Sequence, residues 1–182
     1  MLTQNASATG TPTLQSAASR KTHGAAGIFD LSLSQVLTDP TSEPRAGPAV
    51  TVVLTIDKAL AGATVAVKEG TAIANTPASS DNDVVVDLTG VADQQYATIS
   101  LTNVASADGF SGGSGSVRIG FLAGDVNQNR MVTLLDLGVV NAQLAQPVTA
   151  SNFLLDVNAS VTLTLADKGL TSNNLTKILP AP

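Results

Sequence analysis

Short runs in which apolar and polar residues alternate fill the chain from about Ile28 to Phe121: IFDLSLSQV, AVTVVLTID, ATVAVKEG, DVVVDLTG, YATISLTNV and GSVRIGFL. A period of two sends successive side chains to opposite faces, so each run predicts a β-strand with one buried face. The separators TDPTSEPRAGP, TPASSDND and ADGFSGGSG are rich in residues that turn the chain. Strands of this length and spacing predict an antiparallel β-sandwich. Pro40, Pro44 and Pro48 are expected to keep a connecting loop out of the sheet, and residues 109–116 to form a hairpin loop or an edge. Asp81, Asn82 and Asp83 read as turn formers.

From Gly124 onward the period changes. Leu134, Leu137, Val140, Asn141 and Leu144 lie at helical spacing, and Leu165, Leu170, Lys177 and Ile178 do so less cleanly. Two short helices are predicted, each after a polar loop. The start of the chain, MLTQNASATGTPTLQSAAS, has neither a basic region nor an apolar run, so it reads as a polar linker and not as a signal peptide. The expected organisation is a linker over 1–22, a β-sandwich over 23–122 and a helical module over 123–182. The fold class is mainly β with a small α part.

Composition narrows the chemistry. A net charge of −5, with no cluster of Lys and Arg, argues against nucleic acid or an anionic membrane face as partner. Cysteine is absent, which removes disulfides, thiolate metal sites and a thiol nucleophile. No apolar run approaches the roughly 20 residues of a membrane span. Trp is absent and Tyr96 is the only tyrosine, so no aromatic platform for a sugar is visible. Phe29, Phe110, Phe121 and Phe153 read as packing residues.

Against this charge-poor background one pattern is written twice. The stretch GDVNQNRMVTLLD ends at Asp136, and LDVNASVTLTLAD ends at Asp167. Beyond Phe121 the only carboxylates are Asp125, Asp136, Asp156 and Asp167, placed as the first and twelfth residues of two loops. Asn127 and Asn129, then Asn158 and Ser160, occupy the third and fifth positions, and Thr133 and Thr164 the ninth. A hard cation needs six to eight oxygen ligands, and a loop reaches it through side chains at positions 1, 3, 5 and 12 with a backbone carbonyl at 7. Those carbonyls belong to Met131 and Thr162. About two Ca²⁺ ions are therefore expected. A competing reading takes Thr133 with Asp136, and Thr164 with Asp167, as helix capping boxes. Capping leaves Asp125, Asp156 and the duplication unexplained, and the two roles are compatible.

Two such loops, each followed by one short helix and each ending in Asp, resemble a type I dockerin over residues 124–179. The resemblance implies EF-hand-like calcium loops and docking into a cohesin-like protein, an arrangement that anchors polysaccharide-degrading enzymes outside the cell or at its surface. This chain departs from the family at loop position six, usually Gly, where it has Arg130 and Val161. A β-branched residue is costly in the left-handed conformation, so the second loop is expected to be the weaker site. It departs also at positions ten and eleven, where recognition residues are replaced by Leu134, Leu135, Leu165 and Ala166. Those leucines are expected to pack against the sandwich in cis, together with Phe121 or Phe153, with cohesin binding weak or absent. The segments SRKTHGAAGIFDLSL and EPRAGPAVTVVLTI look similar to immunoglobulin-like or cohesin-like sandwiches of secreted bacterial proteins.

The functional expectation is a secreted, calcium-binding attachment module. The alternative is a small calcium-dependent hydrolase of an ester, lactone or glycosidic substrate, in which an open ligand position activates water. A Ser-His-Asp triad would have to use His23, the only histidine. A histidine pinned by hydrogen bonds at a domain edge is the preferred reading of it.

Overall fold

The computed structural model describes residues 10–47 and 49–182. Its β part is built from β1 (Leu14–Thr22), β2 (Ile28–Ser32), β3 (Thr41–Glu43), β4 (Val50–Ile56), β5 (Leu60–Glu69), β6 (Ile73–Ala74), β7 (Ala78–Ser80), β8 (Asp83–Thr89), β9 (Gln95–Ser106) and β10 (Gly113–Phe121). Two helices follow, α1 (Leu134–Ala142) and α2 (Leu165–Asn173). One sheet runs in the order β2-β1-β4-β8-β6, with β7 also on β8, and the other in the order β3-β10-β9-β5. Alternation explains the core between them. Val52, Leu54 and Ile56 of β4 and Val84, Val86 and Leu88 of β8 join Ile99, Leu101, Val117 and Ile119 of the other sheet in one buried cluster. Each such side chain contributes about 1.5–3 kcal/mol by leaving water. No helix among the described residues is long and apolar enough to cross a membrane.

Two expectations about the β part need correction. The segment expected to be linker through residue 22 instead contains β1, which lies between β2 and β4; residues 1–9 fall outside the described residues. Its inward face is Ala17, Ser19 and Lys21, continued by His23, all buried. A strand with polar side chains inside does not look like a strand in sequence, and it is stable because those groups find partners. The sandwich is also not wholly antiparallel. Between Pro40 and Pro44 the chain forms β3, which pairs in parallel with β10 from Thr41↔Ile119 to Glu43↔Phe121. Three residues between two prolines make an edge strand, where a missing N–H is tolerated. Pro48 lies outside the described residues. Residues 113–116 belong to β10 and not to a loop.

The turn expected at Asp81 and Asn82 joins β7 to β8, with Asp81 at φ 51° and the Asn82 side-chain amide donating to Ile56 O at 3.0 Å. Phe110 is no core residue: it is exposed and lies under the Lys58 ammonium at 4.0 Å.

The β10 strand passes into the C-terminal part without a tether. Leu122 N–H donates to Glu43 O at 3.2 Å and Gly124 N–H to Pro44 O at 2.9 Å, so the chain stays bonded beside β3 until Asp125. Gly124 has φ +92°, and a Cβ there would lie 3.0 Å from the Thr171 Cα of α2. Only glycine meets both demands at low cost.

The leucines expected at a seam are elsewhere. Leu134, Leu135 and Leu165 are 73%, 71% and 72% exposed. They occupy the first positions of their helices, on the side away from the buried Val140 and Thr171. Contact with the sandwich is made by other groups: Phe153, Ala26, Phe29 and Ala46 pack on a cluster containing Val126, Val140, Val157 and Leu163. Phe29 and Phe153 stack at 5.4 Å. Leu135→Asp should therefore change unfolding free energy by no more than about 0.5 kcal/mol, as surface positions do. A loss above about 2 kcal/mol in urea unfolding would place Leu135 in a packed interface after all.

Candidate functional site: two acid-bounded loops

Each loop curls around its own two carboxylates. In the first, Asp125 Oδ1 accepts the Asn129 N–H at 3.0 Å, and Oδ2 accepts the Arg130 N–H at 2.8 Å. Asp136, from the first turn of α1, accepts the Asn127 N–H at 3.1 Å on Oδ1, with the Thr133 N–H and hydroxyl both at 2.9 Å on Oδ2. In the second, Asp156 Oδ1 accepts the Ser160 N–H at 2.9 Å, and Asp167 accepts the Asn158 N–H at 3.1 Å and the Thr164 N–H at 2.8 Å. The same bonds complete a capping box at each helix start. Capping thus accounts for Asp136 and Asp167 locally, while Asp125 and Asp156 take no part in it.

The seventh-position carbonyls are set by a reciprocal exchange. Met131 pairs with Ile178, beyond α2, and Thr162 pairs with Pro147, beyond α1. The ladder bonds fall on the flanking residues: Val132 N–H to Lys177 O and Leu179 N–H to Arg130 O around Met131, Leu163 N–H to Gln146 O and Val148 N–H to Val161 O around Thr162. Because bonding alternates along a ladder, the carbonyls of Met131 and Thr162 are directed away from the partner segment. Asn127 and Asn129 are exposed, and their side-chain oxygens accept the Asn129 and Met131 N–H groups in turn-like bonds.

All four carboxylates are fully buried. Burial, augmented by the charge of Asp136, pushes Asp125 above the ordinary carboxylate range. Asp156 is displaced the other way. Burial pushes it up, but hydrogen bonds from His23 and Ser160 and the field of His23 more than offset that, and its carboxyl lies below the ordinary range. Asp125, Asp136 and Asp167 have no ion-pair partner among the described residues. Nor, among those residues, does any group of three or more His, Cys, Asp or Glu side chains stand ready to hold a metal. Each loop offers two acids, and its other oxygen donors are amide, hydroxyl and carbonyl groups.

The sixth position separates the loops. Arg130 takes φ 72°, the left-handed conformation a glycine would adopt, and its side chain binds Asp39 and Pro40 O. The fourth position is left-handed in both loops, Gln128 at φ 60° and Ala159 at φ 52°, but at the sixth Val161 avoids positive φ. The cost expected for a β-branched residue does not arise, because the second loop keeps Val161 out of the left-handed region.

Sequence reasoning did not single out a buried polar cluster beside the second loop. Glu43 and Arg45 form a two-pronged pair, with Arg45 Nη2 to Oε2 at 2.7 Å and Nε to Oε1 at 2.8 Å. Ser19 donates to Glu43, and Arg45 Nη2 also donates to Ser19 O at 2.8 Å and Nη1 to Phe29 O at 3.0 Å. Arg45 lies 5.2 Å from the Phe153 ring, and its Nη1 is 3.4 Å from His23 Nε2. His23 Nδ1 meets Asp156 Oδ2 at 2.7 Å. The signal available in sequence was the single histidine, followed by glycine, and the isolated EPR. No family model, curated protein or solved structure matches this chain.

Proposed function

We propose that residues 124–179 form a dockerin-like pair of calcium sites, and that the protein is a non-enzymatic, secreted attachment module of a polysaccharide-degrading system. The observation that carries this reading is the burial of Asp125 and Asp136 together with no cation beside them among the described residues. A buried charge left unpaired is costly enough that proteins either neutralise it or give it a metal. Ca²⁺ fits the donor set: carboxylates at Asp125, Asp136, Asp156 and Asp167, amide or hydroxyl oxygens at Asn127, Asn129, Asn158 and Ser160, and carbonyls at Met131 and Thr162. The exposed Leu134, Leu135 and Leu165 occupy the positions by which a dockerin meets a cohesin-like protein, and they support attachment as the role.

Isothermal titration with calcium should give about two equivalents. Asp125→Ala and Asp156→Ala should each remove one, with the Asp125 loop the tighter. Magnesium should compete weakly, because it keeps its waters and demands strict octahedral geometry. Two variants that retain the wild-type stoichiometry would overturn the assignment.

A further inference from the structure

His23 lies in the sandwich, yet its Nδ1 reaches a second-loop carboxylate 133 positions along the chain, with both side chains completely buried. Superposing the roles in the two loops shows what it replaces. The first-position Oδ1 is met in both loops by the fifth-position N–H, from Asn129 and from Ser160. The first-position Oδ2 is met in the first loop by the sixth-position N–H of Arg130 at 2.8 Å, and in the second by His23 at 2.7 Å. Arg130 can present its N–H because it accepts a left-handed φ, whereas Val161 does not.

The imidazole is oriented for this task. Its Nε2 faces the Arg45 guanidinium, which can only donate, so the Nδ1 edge is the one that donates, to Asp156. Arg45 is itself fixed by Glu43, Ser19 O and Phe29 O. Phe29 and Phe153 close on the ring in T-shaped contacts at 5.3 and 6.2 Å. The neighbouring Gly24 admits the loop: a Cβ there would lie 2.5 Å from Val161 Cγ2 and 2.9 Å from Ser160 O.

We propose that His23 is a positioning residue for the second loop, supplying from the sandwich the hydrogen bond that a sixth-position N–H supplies in the first. Resting on the calcium reading above, this makes the bond on the first-position Oδ2 local in the first loop and supplied by the sandwich in the second. Both loops lean on the sandwich, the first through Gln128 to Ser42 O and through Arg130 to Asp39 and Pro40 O, and only the second through His23.

The test uses the full chain with calcium alone as probe, in an Asp125→Asn background that isolates the second site and in the otherwise wild-type chain. His23→Leu keeps the volume and removes the donor. Calcium affinity at the second loop should fall about 10- to 100-fold, the range for a lost hydrogen bond to a charged group, while the first loop changes by less than about twofold. His23→Asn places an amide nitrogen near the Nδ1 position and should restore affinity to within about threefold, whereas His23→Gln carries its nitrogen near the Nε2 position and should not. If His23→Leu fails to fold, the Asn and Gln variants decide the matter between them. Unchanged second-site affinity in His23→Leu, equal weakening at both loops, or equal behaviour of Asn and Gln overturns the positioning role and leaves the calcium sites standing. Wild-type protein that binds no calcium overturns the calcium reading itself, and the inference falls with it.

Discussion

Replacing Arg45 with methionine should destabilise the protein by about 3–5 kcal/mol, the range for breaking a buried ion pair on one side only. Glu43 and Arg45 are both fully out of solvent, so the surviving carboxylate would keep its desolvation penalty and lose its two-pronged partner. Arg45 also satisfies Ser19 O and Phe29 O and covers Phe153, which adds to the loss. Against a total stability of about 5–15 kcal/mol this is a large fraction. Urea unfolding with an unchanged slope would measure it. The double variant Glu43→Leu with Arg45→Met removes both charges and should be less damaging than Arg45→Met alone, because no unpaired charge remains. A single variant costing under about 1 kcal/mol would mean that the cluster is penetrated by water and holds nothing together.

Withdrawing calcium should cost about 2.7 kcal/mol per loop relative to a hundredfold excess over Kd, and the sign of Asp125→Asn should reverse between the two conditions. Without a cation, the raised Asp125 favours the protonated form in the fold. Its contribution is therefore fully present below the ordinary carboxylate value of about 3.9 and is lost as pH rises through the higher folded value. At neutral pH in chelator the ionised group opposes folding, so Asp125→Asn should raise the melting temperature. In calcium the same variant loses a ligand and should lower it. Asp156 behaves oppositely. Its folded value is depressed, so its contribution is present above the ordinary value and is lost as pH falls through the lower one. Melting curves from about pH 2 to 7.5, with calcium and with chelator, check both directions. Shifts of one sign in both buffers would show that Asp125 acts in the fold and not through a cation.

The parts of this molecule legible in sequence were those where one rule governs each position. The strand β8 alternates cleanly, and β4, β9 and β10 do so over part of their length, because one face is hydrocarbon core. The two loops were legible because acids, amides and hydroxyls recur at fixed spacing and meet helix starts. The β1 strand was not, since its inward face trades apolar burial for Ser19, Lys21 and His23, and the partners that make this affordable, Glu43, Arg45 and Asp156, are remote in sequence. Exposure of Leu134, Leu135 and Leu165 was equally hidden. Periodicity reports that a helix has an apolar side, but here the core is reached by Val140, Val157 and Leu163, and Leu134 and Leu135 line a groove of about 630 Å³ with Met131 and Leu175 instead.

The unbroken passage from β10 into Asp125 has a mechanical meaning. β10 is bonded along its length to β9 and, at its exit, to β3. Tension applied to the helix pair enters that strand along its own axis, and hydrogen bonds lying across the axis then share the load in shear instead of yielding one after another. Whatever the helix pair holds is thereby mounted on a stiff bracket: its distance and angle to the sandwich are set by the sheet, and pulling on it tests many bonds at once.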